Sequence, residues 1–175
     1  MATDYIKAGD TVVDLELTAV SSTLSSTYHG TKVTTKKGAI AILIPGVASG
    51  AKGAVVALEK DSTGWVTTLM TGAVANLGHP LVAVMCAAAD ATTKTCWALV
   101  KYDADADAEF GVLVDASASA DKLMATGSTA GQLRSQDQVP VAGQGFVRGL
   151  TLGTAQGGSA GLNTTASWNL LRSTL

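Results

Sequence analysis

Charge is scarce in this sequence. Asp, Glu, Lys and Arg make up 15% of its 175 residues, against roughly 25% in ordinary soluble domains. The balance is nearly neutral, with 12 basic and 14 acidic residues. There is therefore no basic footprint of the kind that binding to nucleic-acid backbones requires. Aromatics are only 5% although hydrophobic residues reach 47%, so the apolar content is mostly Ala, Val and Leu. Two Cys and two His do not make a structural zinc site, because His29 and His79 stand away from Cys86 and Cys96 with no ligand spacing. The most apolar run, Leu81 to Ala89, is far shorter than the roughly 20 residues a membrane helix needs. Met1 to Lys7 lacks the apolar core of a secretory signal. Cytosolic synthesis with reduced thiols is the expectation.

What fills the space is small and uncharged. There are 19 Gly, with many Ser and Thr. Such a surface is poor at keeping monomers apart and suits a protein that lives packed against other copies. The length suffices for one domain or two small β domains. The chain reads as an N-terminal arm, residues 1–10, followed by one β-rich domain, residues 11–175. A turn-rich, nearly uncharged stretch from Ala116 to Leu133 marks a change of lobe near residue 116.

The periodicity is that of strands. Thr11 to Leu17 alternates, with Val13, Leu15 and Leu17 on one face. Lys32 to Thr35 reads as a short polar strand, and Ala39 to Ile44 as a buried one closed by Pro45-Gly46. Ala54 to Leu58 fits a strand or one helical turn, and Glu59 to Thr63 a polar turn. Trp65 to Thr71 follows, with Trp65, Thr67 and Leu69 on one face. The strongest hairpin joins Leu81–Cys86 to Cys96–Tyr102. Folding about Ala91 sets Cys86 opposite Cys96, Met85 opposite Trp97 and Val84 opposite Ala98, pairing like with like. Facing thiols allow a cross-strand disulfide, although two small core residues is the simpler reading. Phe110–Val114, Lys122–Ala125, Phe146–Leu152 and Ser167–Leu171 complete the set, with Phe146, Arg148, Leu150 and Leu152 expected on one side. Many short antiparallel strands with long Gly/Ser/Thr loops predict an all-β sandwich or barrel.

Catalytic readings fail on particular residues. Gly157-Gly158-Ser159-Ala160-Gly161 matches a nucleophile elbow, but no Asp, Glu or His follows Ser159 to complete the triad in chain order. A phosphate loop after Ile44 would need Gly at 51 and a hydroxyl at 53, where the chain has Ala51 and Gly53; Lys52 then reads as an ordinary surface lysine. Asp103, Asp105, Asp107 and Glu109 are spaced like the start of a calcium loop and are the candidates for a hard cation. The turn position holds Ala108 and the twelfth holds Val114, so a solvated acidic loop and no metal site is the reading. Lys32, Lys36, Lys37 and Lys52 form a basic region suited to an acidic partner or to guarding an exposed strand. Trp65, Trp97 and Trp168 each fall in an expected strand, as core or subunit-contact residues.

Four stretches together resemble the capsid decoration, or cement, proteins of tailed bacteriophages. They are Tyr5-Ile6-Lys7-Ala8-Gly9-Asp10-Thr11; Gly64-Trp65-Val66 with Gly72-Ala73-Val74; Asp121 to Thr126 with Thr129 to Leu133; and Phe146 to Leu152 with the glycine-rich run behind it. The resemblance implies a non-enzymatic virion component without a cofactor. It would bind the major capsid protein on the outer shell as a homo-oligomer, with a trimer favoured, and be assembled in the host cytoplasm. Avidity from many identical lattice sites would replace any single strong contact. The arm, with Tyr5, Ile6 and Lys7, would add a strand to a capsid edge, and Lys32, Lys36 and Lys37 are the other partner-binding candidates. The alternatives are a tail or head-fibre subunit, or a carbohydrate-binding β module with Trp65 or Trp168 exposed for stacking.

Overall fold

Four apolar runs decide the architecture: Ile40 to Pro45, Val55 to Leu58, Leu81 to Met85 and Cys96 to Val100. Each is buried almost end to end, and a strand reads that way only when both of its faces are covered. The computed structural model describes residues 16–35, 37–73, 81–104, 109–137 and 145–174. Thirteen strands lie within them: β1 (Val20–Ser21), β2 (Lys32–Thr34), β3 (Ile40–Pro45), β4 (Val55–Lys60), β5 (Trp65–Leu69), β6 (Leu81–Met85), β7 (Thr95–Tyr102), β8 (Val112–Val114), β9 (Met124–Thr126), β10 (Leu133–Ser135), β11 (Phe146–Leu152), β12 (Gly161–Asn163) and β13 (Ala166–Thr174). A single 3-10 turn, Ser26–Tyr28, is capped by Ser25.

All thirteen strands belong to one sheet. Its main path runs β12-β8-β10-β9-β11-β13-β7-β6-β4-β5, and β1, β3 and, through β3, β2 attach to β7. The expected all-β class holds, but the sheet is not closed into a barrel. The pairs are antiparallel except β8 with β10, which run parallel. The strands after residue 116 enter the same sheet as those before it, through β13 on β7.

The two faces of the central strands carry separate cores. Ala41, Leu43, Val55, Ala57, Val82, Val84, Trp97 and Leu99 share one cluster, which continues into β8–β11 and β13. Ile42, Ile44, Val56, Leu58, Ala83, Met85, Cys96, Ala98 and Val100 form the other. The second cluster is wrapped because β5 curls back into contact with β3. Trp65 and Leu69 of β5 pack onto it.

The β6–β7 register differs from the expected one by a residue. Val84 faces Leu99 and Met85 faces Ala98. The amide of Cys86 then donates to the carbonyl of Trp97. The large side chain on one strand meets a small one on the other, which fills a pleated interior better than like against like. The slip puts Cys86 in one cluster and Cys96 in the other, on opposite faces of the sheet. Both are free thiols and both are buried.

A second correction concerns β11. Its pairing with β13 shifts between Arg148 and Leu150, where Gly149, at φ 87°, stands alone against residues 169–171 of β13. Val147, Leu150 and Leu152 are buried, Phe146 is half-buried and Arg148 is exposed. The expected single face of Phe146, Arg148, Leu150 and Leu152 therefore breaks at Gly149, whose left-handed φ interrupts the strand alternation. Glu59 and Lys60, expected in a turn, instead extend β4. Of the strand expected over 11–17, only Glu16 and Leu17 are described; they lie in a turn in which Ala19 bonds back to Glu16, and Leu17 is buried.

Trp168 closes the junction between the halves. It is 2% exposed, and its indole N–H donates to the carbonyl of Leu99 at 3.1 Å. Its ring lies 4.7 Å from Tyr102, which meets Phe110 edge-on at 5.8 Å. Such a trio ties β7, β13 and the entry to β8 together beyond its area of burial.

Candidate binding surfaces

The residues singled out in the sequence scatter. Lys32 is exposed on β2, an edge strand whose neighbour is β3, and Lys37 is exposed in the turn that follows. Lys52 is half-buried, with its ammonium 5.7 Å from the centre of the Phe110 ring. The reading of it as an ordinary surface lysine gives way to a cation held over an aromatic face. Asp103 and Glu109 are exposed at the two ends of the acidic loop. Tyr5, Ile6, Lys7, Lys36, His79, Asp105 and Asp107 lie outside the described residues. Among the described residues, no group of three or more His, Cys, Asp or Glu is placed to hold a metal. Ser159 is exposed in the glycine-rich loop, where its carbonyl accepts a hydrogen bond from the Gln156 side chain at 3.0 Å.

Two surfaces remain that sequence reasoning did not assemble. The first is the free side of β12. Among the described residues this strand has one neighbour, β8, with Leu162 opposite Leu113. Exposed edges in natural sheets are usually guarded by charge, above all by lysine. β2 carries Lys32. β12 has no such guard: from Gly149 to Leu171 there is no ionisable side chain. The loop before it, Gly153 to Ala160, is exposed almost throughout yet firmly held. Gln156 N–H donates to the Ala118 carbonyl and Ser117 N–H to the Gly157 carbonyl, each at 2.8 Å. Asn163 bonds the Thr154 carbonyl, and the Thr154 amide bonds the Thr165 hydroxyl. Leu162 adds a half-exposed apolar side chain and packs so near Gly53 that a Cβ there would lie 2.3 Å from its Cδ1.

The second surface is a cleft of about 520 Å³ between β5 and the 3-10 turn. Four separated segments build it: residues 26–29, 45–46, 63–67 and Thr92. Asp61 fixes the turn into β5, accepting from the Thr63 hydroxyl at 2.6 Å, the Thr63 amide at 2.7 Å and the Gly64 amide at 3.0 Å. Those bonds hold its carboxyl below the usual carboxylate range. Trp65 emerges directly after this turn. Its indole rests against Gly30, a residue at φ 87° where no side chain fits, since a Cβ would stand 2.2 Å from the indole nitrogen. His29 reaches Thr95 through Nε2 at 2.9 Å, and partial burial lowers its pKa and favours the neutral ring. Thr67 is 7% exposed, and its hydroxyl has no hydrogen-bond partner among the described residues. Of the three tryptophans, Trp97 and Trp168 are buried and only Trp65 is half-exposed.

No protein-family model, no curated protein and no solved structure matches the chain.

Proposed function

We propose that the chain is a non-enzymatic structural protein of a virion. It decorates and stabilises the outer surface of a tailed-phage capsid by binding the major capsid protein as a closed homo-oligomer, a trimer by preference. The unguarded edge at β12 is the observation that carries this reading. A sheet edge free of charge and proline is a template for pairing with another chain, and here it is flanked by a pinned, uncharged loop. The strand is only three residues long, so one pairing is weak. A shell that repeats the site many times makes weak pairing sufficient. Pinning of the loop lowers the ordering cost of each contact. The scarcity of charge over the chain and the resemblance to cement proteins point the same way.

The test is co-sedimentation of the purified chain with expanded shells of the virus that encodes it. Saturable binding is expected, with loss of binding for Ala160→Lys, which sets a guarding charge beside β12. Shells that bind no chain, or that bind the variant equally well, would overturn the reading.

A further inference from the structure

We infer that the cleft between β5 and the 3-10 turn is a binding site for an uncharged saccharide. It is separate from the β12 edge and goes beyond the capsid-decoration reading. The chemistry of the walls selects the ligand class. None of the eleven lining residues is a carboxylate, a lysine or an arginine, and the Asp61 carboxylate beside them is engaged by Thr63 and Gly64, so the walls themselves offer no counter-charge to a phosphate or an ammonium group. The walls combine the ring of Trp65 with the hydroxyl-bearing residues Ser26, Thr27, Thr67 and Thr92 and with His29. A pyranose has the matching character, a C–H face for an aromatic ring and a rim of hydroxyls for hydroxyl and imidazole partners. The volume lies in the range of small-molecule sites.

Two features argue for a built site rather than a chance gap. Gly30 lets the backbone approach the indole edge so closely that the ring's orientation is set from behind. Thr67 stands in the wall with a hydroxyl that finds no partner among the described residues. A buried polar atom left unpaired costs stability, and native structures keep few of them. The Thr67 oxygen is buried, so a rotation about χ1 that exchanges its hydroxyl and methyl positions would have to accompany ligand binding. An extended peptide lying along β5 is the competing occupant. The walls come from four short separated segments rather than one continuous strand track, so the saccharide is favoured.

The experiment titrates the full chain with neutral oligosaccharides of glucose, mannose, galactose, rhamnose and N-acetylglucosamine. Calorimetry and tryptophan emission are the readouts, together with a sulfated counterpart of each sugar and a Val-Thr alternating peptide. At least one neutral sugar should bind and shift the emission, which reports on Trp65 because the other two indoles are buried. Thr67→Val should weaken that binding about ten-fold without lowering the melting temperature, since the change removes only an unpaired hydroxyl. Trp65→Phe should weaken it at least as much, while shell binding by both variants stays at the wild-type level. The inference is overturned if no neutral sugar in the panel binds, if Thr67→Val binds as well as wild type, or if the sulfated form or the peptide binds more tightly.

Discussion

Replacing Gly30 by Ala separates backbone strain from steric conflict, provided Gly38→Ala is measured beside it. Both glycines lie in the left-handed region, at φ 87° and 83°. An L-residue there costs about 1–2 kcal/mol. At Gly38 a new Cβ meets nothing within 4 Å, so that strain is the whole effect. At Gly30 the Cβ would stand 2.2, 2.5 and 2.8 Å from Nε1, Cε2 and Cζ2 of Trp65. Three atoms of a rigid ring must move together. Inward motion is blocked by the cluster of Ile42, Leu58 and Met85 on which Trp65 packs. Overpacking of this kind adds about 1–3 kcal/mol, so Gly30→Ala should cost about 2–5 kcal/mol in all. For a chain of this size the two variants should differ in melting temperature by roughly 2–12 °C. Urea unfolding followed by tryptophan emission gives both free energies, and the Gly30 variant should also shift the native emission maximum. If the two variants agree within about 0.5 kcal/mol, the indole is not held in place by Gly30, and the description of the cleft wall fails.

Met85→Ala should cost about 2–5 kcal/mol, as for other deep truncations, because Met85 is 1% exposed; Val66→Ala on the outer face of β5 should stay within about 0.5 kcal/mol. Neither thiol should react with a disulfide reagent in the native protein, and both should react in denaturant, with no intramolecular disulfide forming across the sheet. Burial pushes the Cys96 thiol up to about 12 from 9.0, and that of Cys86 well above 9.0. The folded chain therefore keeps protons that the unfolded chain releases, so stability should be intact below about pH 9 and fall as pH rises beyond it, read as a falling urea midpoint. His29 has the opposite sign. Its pKa is lowered by burial, so the unfolded state binds the proton more readily, and stability should drop as pH falls below about 6.5; His29→Gln should remove that part of the acid slope.

Much of the fold was legible because the buried strands are written in plain apolar runs. β3, β6 and β7 needed no more than their Val, Ile, Leu and Ala content and the Pro45-Gly46 stop. The β6–β7 register was not legible, since matching Cys86 to Cys96 and Met85 to Trp97 looked as orderly as the true pairing of Met85 with Ala98. What decides between them is the volume available in each of two cores, a tertiary quantity. The face of β11 was misread because a glycine inside a strand gives no sign of whether it will take a left-handed φ and break the alternation. β1, β10 and β12 have two or three residues each, too few for any period to show. The parallel β8–β10 pair is set by neighbours distant in the chain. Trp65 was marked in the sequence as a core or contact residue, and in the carbohydrate-module alternative as a stacking ring. The cleft around it draws on four segments that only the curl of β5 toward β3 brings together. The β12 edge did leave a trace, the absence of acidic residues after Asp137, although charge scarcity alone does not say which strand will be left unpaired.

Amide hydrogen exchange, compared between the free chain and the chain bound to expanded shells, tests the assembly claim most directly. The account predicts new protection at Gly161 to Asn163 and in the Gly153 to Ala160 loop, with β2 unchanged. Exchange at β12 that stays the same on bound shells, or protection gained at β2 instead, would contradict it.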